Sequence, residues 1–248
     1  MENGCGCALG RIEQMIRYSC WQSGLEKIVI GVSGGIDSGV SSALCCRAIG
    51  NDRVLGLTLP TAVTSPNDVR DATELCRSLG MEHRVIPIDP ILDAYRGMPG
   101  FVETPGLMGN LMARTRMVVL YYHANREGRL VCGTSNRTEY LLGYTTKYGD
   151  NAADLQPILH LFKTEVRDIA RGLGIPEAII RKTPSAGLWE GQSDEAEIGF
   201  PYPVIDTALR SLEKNGWKSE NEVEEKILSR VKKNSHKRLP PPNLMGTC

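Results

Sequence analysis

Two stretches of this sequence carry side chains suited to phosphate and a divalent cation. The first is Ser33-Gly34-Gly35-Ile36-Asp37-Ser38, which follows the apolar run Lys27 to Val32. A glycine pair between a strand and a helix lets backbone N–H groups approach a phosphate closely, and the helix N-terminus adds a favourable dipole. Gly31 and Val32 lead into this loop, and its two serines add hydroxyl donors. Asp37 would repel phosphate unless Mg²⁺ bridged the two. The loop lacks the Gly-Lys-Ser/Thr ending of a Walker A motif. The second stretch is Gly133-Thr134-Ser135-Asn136-Arg137-Thr138-Glu139. Thr134 offers a hydroxyl where a strand ends, and Glu139 stands about one turn into the next helix. A second carboxylate aimed at Asp37 would complete a Mg²⁺ site.

The elements around these stretches alternate. Leu9, Ile12, Met15 and Ile16 have helical spacing, which predicts a first helix over about 8–23. Strands are expected at Lys27 to Val32, Val54 to Leu59, Arg84 to Ile88, Leu130 to Cys132 and, briefly, Leu155 to Ile158. Helices are expected at Gly39 to Ile49, Ser65 to Leu79 with Ser-Pro as its start, Leu107 to Arg126 and Thr164 to Leu173. Such alternation implies an α/β fold: a doubly wound, parallel, five-stranded sheet of Rossmann-like type, with helices on both faces. Ligands in such sheets lie at the carboxyl ends of the strands, where both stretches fall. Pro184 to Tyr202, with its Gly, Ser and acidic residues, is expected to be a mobile lid. Two short helices, about Ile205 to Asn215 and Glu220 to Lys232, precede a basic tail containing His236 and Lys237.

The chain has 248 residues, enough for one large domain. Its 29 basic and 29 acidic residues balance, which argues against a general nucleic-acid surface. No apolar run of membrane-spanning length occurs, and the N-terminus lacks a signal-peptide pattern, so a cytoplasmic protein is expected. The eight cysteines do not suggest a disulfide framework. Cys5 and Cys7 form a Cys-x-Cys pair, too little for a closed zinc site. Cys248 ends the sequence and makes no prenylation box.

The loop at Ser33 to Ser38 resembles the pyrophosphate loop of the N-type ATP pyrophosphatases, which cleave ATP to AMP and pyrophosphate. Three further runs narrow the resemblance: Gly133-Thr134-Ser135-Asn136-x-x-Glu139, Ala186-Gly187-Leu188-Trp189-x-Gly191-Gln192, and Asn110-Leu111-Met112-Ala113-Arg114-Thr115-Arg116-Met117. Together they are similar to NAD synthetase, over nearly the whole chain. Thr145, Asn151-Ala152 and Leu159-His160 depart from the usual family pattern.

The resemblance implies amidation of deamido-NAD by ammonia through an acyl-adenylate, with ATP as co-substrate and Mg²⁺ as cofactor. It implies an ATP site made of Gly31, Val32, Ser33, Gly34, Gly35, Ile36, Asp37, Ser38, Thr134, Lys163 and Ser185. Asp37 and Glu139 would bind Mg²⁺, and Lys163 would neutralise phosphate. Arg114, Lys147, Asp154, His236 and Lys237 match positions that contact deamido-NAD. Asp154 would meet either the ribose or the attacking ammonia, and it joins Asp37 and Lys163 as a candidate catalytic group. The expected assembly is a homodimer through the helix bearing Leu111, Val118, Val119 and Tyr122, without nucleic-acid or membrane partners. One synthetase domain over 1–248, with no glutaminase domain, is expected. Each residue has a plainer reading: Lys147 and Lys163 as solvated lysines, Arg114 paired on its own helix, His236 and Lys237 as a loose tail. Two other readings are a different ATP pyrophosphatase, such as a GMP synthetase-like subunit or an RNA-thiolating enzyme, and a non-catalytic adenine-nucleotide sensor.

Overall fold

The computed structural model describes residues 2–189 and 191–243, with side chains from Leu9 onward. Cys5, Cys7 and Cys248, raised by the sequence, therefore lie outside the described side chains. Helix α1 (Glu2–Ser23) leads into strand β1 (Lys27–Gly31), α2 (Ile36–Ile49), β2 (Val54–Thr58), α3 (Pro66–Leu79) and β3 (Glu82–Val85). Next come α4 (Asp89–Arg96), α5 (Pro105–Glu127), β4 (Arg129–Cys132), α6 (Arg137–Leu142) and α7 (Lys163–Gly172). The chain continues through α8 (Glu177–Ile180), α9 (Asp194–Ile198), α10 (Tyr202–Lys214) and α11 (Glu222–Lys233). Among the described residues no helix is long and apolar enough to cross a membrane.

The four strands are parallel in the order β3-β2-β1-β4. Ile28 pairs with both Val54 and Leu130, so β1 is central and covered on both faces. Its side chains divide by the two-residue period of a strand. Ile28 and Ile30 face a core shared with α1, α2, α3 and α7, and Val29 faces one shared with α4 and α5. This is why α2 is rich in small and apolar residues: Val40, Ala43, Leu44, Cys45 and Ala48 are all buried. A third core, built on Leu142, Phe162, Tyr202, Leu209 and Ile227, joins α6, α10 and α11. The order reverses between β1 and β4, which places their carboxyl ends beside a crevice of the kind that takes ligands.

Several boundaries correct the sequence reading. The fifth strand shrinks to one bridge between Leu155 and Cys132. Asp154 and Leu155 both donate to the Val131 carbonyl, and Pro157 has no N–H with which to continue the ladder. β3 starts and stops earlier than expected, although Ile86 and Ile88 still donate to Thr58 and Pro60 beyond its end. Helix α2 begins at Ile36, so Asp37 and Ser38 belong to its first turn. Helix α4 was not anticipated, and Pro184 to Tyr202 contains α9. Within that segment Leu188 packs with the second core, and its N–H donates to Gln192 Oε1 at 2.7 Å. The tail is likewise folded on, with His236 and Lys237 in a short 3₁₀ turn.

Candidate active site

The loop after β1 is braced from within. Ser33 N–H donates to Ser38 Oγ at 3.2 Å, Ser38 Oγ donates to Gly35 O at 3.0 Å, and Gly35 N–H donates to Ser33 Oγ at 3.2 Å. The serine hydroxyls thus shape the loop as well as facing the crevice. Gly34 adopts φ 78°, and a Cβ built there would stand 2.3 Å from the Asp68 carbonyl oxygen of α3. Lys182 clamps the same loop, donating to Gly34 O at 2.9 Å and pairing with Asp68 and Asp71 at 2.8 and 2.6 Å.

Opposite, Asn136 caps α6 in a capping box with Glu139. Its Oδ1 accepts the Glu139 N–H at 3.0 Å, which leaves Nδ2 to donate to Asp37 Oδ1 at 2.9 Å. Asn136 is fully buried, and it fixes the two carboxylates relative to one another. The Lys163 ammonium lies between them, donating to Asp37 Oδ2 and to Glu139 Oε1, the latter at 3.1 Å. It sits at the first position of α7, where the helix dipole disfavours a cation. Its backbone is held by Thr138 Oγ1, which in turn donates to Asp206.

The electrostatics follow from burial and proximity. Burial disfavours the charged ammonium of Lys163, but Asp37 and Glu139 outweigh it and hold the group above its ordinary value. Burial pushes Glu139 up to about 7, with Asp37 and Asp194 adding to the rise and Lys163 opposing it. Asp194 is also raised, chiefly by burial. Three carboxyl groups thus cluster near one ammonium, and a cation bound beside them would favour the charged form of the two that burial raises. Oxygen donors of this kind suit a hard ion. Among the described residues no trio of His, Cys, Asp or Glu is placed to hold an ion alone. Asp37 and Glu139 could supply two oxygen ligands to a divalent cation, with water and phosphate completing its shell.

Ser33, Gly35, Asp37, Ser38, Thr134, Glu139, Lys163 and Ser185 all line one cavity of about 710 Å³. Gly31, Val32 and Ile36 line it as well, and Gly34 lies behind them against α3. Lys182 and Arg167, neither singled out in the sequence, add cations to the wall. Of the five residues expected at the dinucleotide, only Lys237 lines this cavity. Arg114 and His236 are exposed and lie outside it. Lys147 Nζ donates to the carbonyls of His236 and Leu239, and Lys237 Nζ to those of Gly143 and Thr145. These two lysines pin the tail to the loop after α6. The Asp154 carboxylate is engaged on both oxygens, by Val131 N–H at 2.7 Å and Tyr121 O–H at 3.2 Å.

A doubly wound parallel sheet, a glycine-bearing loop at its switch point and a paired-carboxylate wall define a nucleotide-binding α/β protein. The sequence profile of the NAD synthase family matches residues 8–241, and the chain belongs to that family. It is 63% identical, over 99% of both chains, to the NH₃-dependent NAD⁺ synthetase of Methanoregula boonei. Among solved structures, the NMN synthetase of Francisella tularensis superposes with a TM-score of 0.89 at 35% identity, covering 97% of this chain and 98% of that one. The NH₃-dependent NAD synthetase of Campylobacter jejuni does so at 0.84 and 33%, with the same coverage.

Proposed function

We propose that this chain is an ammonia-dependent NAD synthetase, converting deamido-NAD, ATP and ammonia to NAD, AMP and pyrophosphate. The full-length likeness to NH₃-dependent NAD synthetases supports the reaction. The observation that carries the site assignment is the Lys163 ammonium held between Asp37 and Glu139 beside the braced loop. In this reading the loop of Gly31 to Ser38 holds the pyrophosphate portion of ATP, with Thr134 and Ser185 against the nucleotide. Asp37 and Glu139 hold Mg²⁺, which when bound offsets phosphate charge and helps pyrophosphate to leave. The substrate carboxylate attacks the α-phosphorus, and pyrophosphate departs. Neutral ammonia then attacks the acyl carbon and releases AMP. Lys163 neutralises phosphate oxygens, and the site acts by orientation and charge stabilisation without a protein nucleophile. The paired carboxyl groups of Asp37 and Glu139, oxygen donors around one ammonium, are the fit for the ion.

Arg114, Lys147, Asp154, His236 and Lys237 are assigned to the dinucleotide side. There the two lysines act through the tail they fasten, and Asp154 acts with Tyr121. A homodimer through α5 accords with its exposed Leu107, Val118 and Tyr122. Residues 8–241, the span of the family match, are assigned to one synthetase unit.

The likeness to a NMN synthetase favours one second reading, in which the acceptor is the mononucleotide. Initial rates with ammonium chloride, ATP and Mg²⁺ are compared for nicotinic acid adenine dinucleotide and nicotinic acid mononucleotide. The primary reading expects a higher kcat/KM for the dinucleotide, and the reverse order would select the second.

A further inference from the structure

Among the described residues six basic side chains line the cavity, and five of them have partners in the protein. Lys163 and Lys182 each pair with two carboxylates. Lys237 donates to two carbonyls, Arg116 to that of Leu59 and Arg230 to that of Glu197. The sixth is Arg167 of α7, half-buried, whose side chain has no hydrogen bond, ion pair or ring contact among the described residues. The acids closest to it along the chain are committed elsewhere. Glu165 pairs with Arg210 and accepts the Phe162 N–H, Asp168 pairs with Arg171, and Glu177 of α8 pairs with Arg181. A guanidinium offers five donors and no acceptor, so one left without protein partners on a cavity wall suits an anionic ligand.

Its place on the helix indicates which part of the ligand it meets. Arg167 follows Lys163 by four residues, so the two share one face of α7, about 6 Å apart along its axis. Helical side chains lean towards the N-terminus, which carries the guanidinium back towards the Lys163 ammonium. Helix α7 starts beside α6, where Thr138 holds the Lys163 N–H, and runs towards α8 and Lys182. Arg167 is therefore displaced from the Thr134 end of the site towards the clamp on Gly34. We propose that Arg167 is a further catalytic residue, binding the β- and γ-phosphate oxygens of ATP and then the leaving pyrophosphate. Its fork of N–H donors matches two phosphate oxygens at once. As the substrate carboxylate oxygen bonds to the α-phosphorus, the bond from that phosphorus to the bridging oxygen breaks, and its electron pair stays on the pyrophosphate. The leaving group gains a negative charge, which the guanidinium stabilises beyond what it does for bound ATP. The inference rests on the ATP reading above.

The test is calorimetric titration with pyrophosphate in Mg²⁺ and, separately, with AMP, for the wild type, Arg167→Met, Arg167→Lys and Arg171→Met. Arg167→Met should weaken pyrophosphate binding at least about tenfold while AMP binding stays within about twofold. Arg167→Lys should recover part of the loss, since it keeps the charge but not the fork. Arg171→Met removes the same charge one turn further along α7, from a residue paired with Asp168, and should leave both affinities within about twofold. Having no protein partner to lose, Arg167→Met should melt within about 2 °C of the wild type. Its kcat/KM for ATP should fall at least about tenfold, with the KM for nicotinic acid adenine dinucleotide nearly unchanged. Equal weakening of pyrophosphate and AMP, an equal loss in Arg171→Met, or a large fall in Tm would each overturn the proposal. A wild type that binds neither pyrophosphate nor AMP would overturn the ATP reading itself. A wild type that binds both, matched by Arg167→Met, would refute this inference alone.

Discussion

Gly34→Ala tests whether the phosphate loop is fixed by its backbone. Gly34 has φ 78°, and an added Cβ would lie 2.3 Å from Asp68 O and 3.1 Å from the Asp68 carbonyl carbon and Cα. These are backbone atoms of α3, which Lys182 ties to the loop, so neither side yields cheaply. The left-handed conformation alone costs an alanine about 1–2 kcal/mol. Forcing a methyl group into packed backbone adds about 1–3 kcal/mol. The sum, roughly 2–5 kcal/mol, corresponds to a fall in Tm of roughly 4–20 °C for a chain of this size. The loop can escape part of the clash only by moving off α3, which misplaces the N–H groups offered to phosphate. Gly35→Ala is the control: φ is −97°, and the nearest atom is the Ser33 hydroxyl at 3.3 Å, which needs to give by only a few tenths of an ångström. Melting curves and calorimetric titration with α,β-methylene-ATP and Mg²⁺ give both quantities. Gly34→Ala should lower the Tm as stated and weaken binding at least about tenfold, while Gly35→Ala stays within about threefold of wild type. A Gly34→Ala protein that melts and binds like Gly35→Ala would refute the reasoning.

Asp37→Asn keeps the volume but removes the anion that faces Lys163 and the cation. Steady-state rates should fall at least about a hundredfold with the Tm nearly unchanged, and retained activity would count against the site. Glu127 is held well below the usual carboxylate range by hydrogen bonds from Arg84, Arg126 and Arg129. A depressed native value means that its stabilisation is present above the unfolded value of about 4.3 and is lost as pH falls through the native one. Glu127→Gln should therefore lower the urea midpoint at pH 7, with the gap to wild type closing in acid; a gap that widens on acidification would be the wrong sign. Val118→Glu with Tyr122→Glu, on the exposed face of α5, should convert a dimer to a monomer in sedimentation velocity. A wild-type monomer at micromolar concentration would contradict the assembly.

The parts of the site readable in the sequence are those whose partners lie close along the chain. Ser33 to Ser38 and Gly133 to Glu139 each sit between a strand and a helix, so local pattern places both at one sheet edge. Asn136 was within reach, because Asn followed three residues later by Glu is a capping-box signature. Lys182 was not, since its partners Gly34 and Asp68 lie 148 and 114 residues away. Asp194 reads as one of several acidic residues in a polar stretch until Tyr202 and Lys163 are seen beside it. The fifth strand is cut short at Pro157, a ladder breaker that is visible in the sequence. Lys147 and Lys237 show a different gap. The family resemblance sets both against deamido-NAD, whereas the fold turns both ammonium groups onto backbone carbonyls.

The central claim is amidation driven by cleavage of ATP between the α- and β-phosphates. One measurement tests it directly: nucleotide products resolved by ion-exchange chromatography from purified protein with ATP, Mg²⁺, nicotinic acid adenine dinucleotide and ammonium chloride. NAD, AMP and pyrophosphate should accumulate together in equal amounts, with none of the three formed when the dinucleotide is omitted. ADP and inorganic phosphate as the main products, or AMP release without matching NAD, would contradict it.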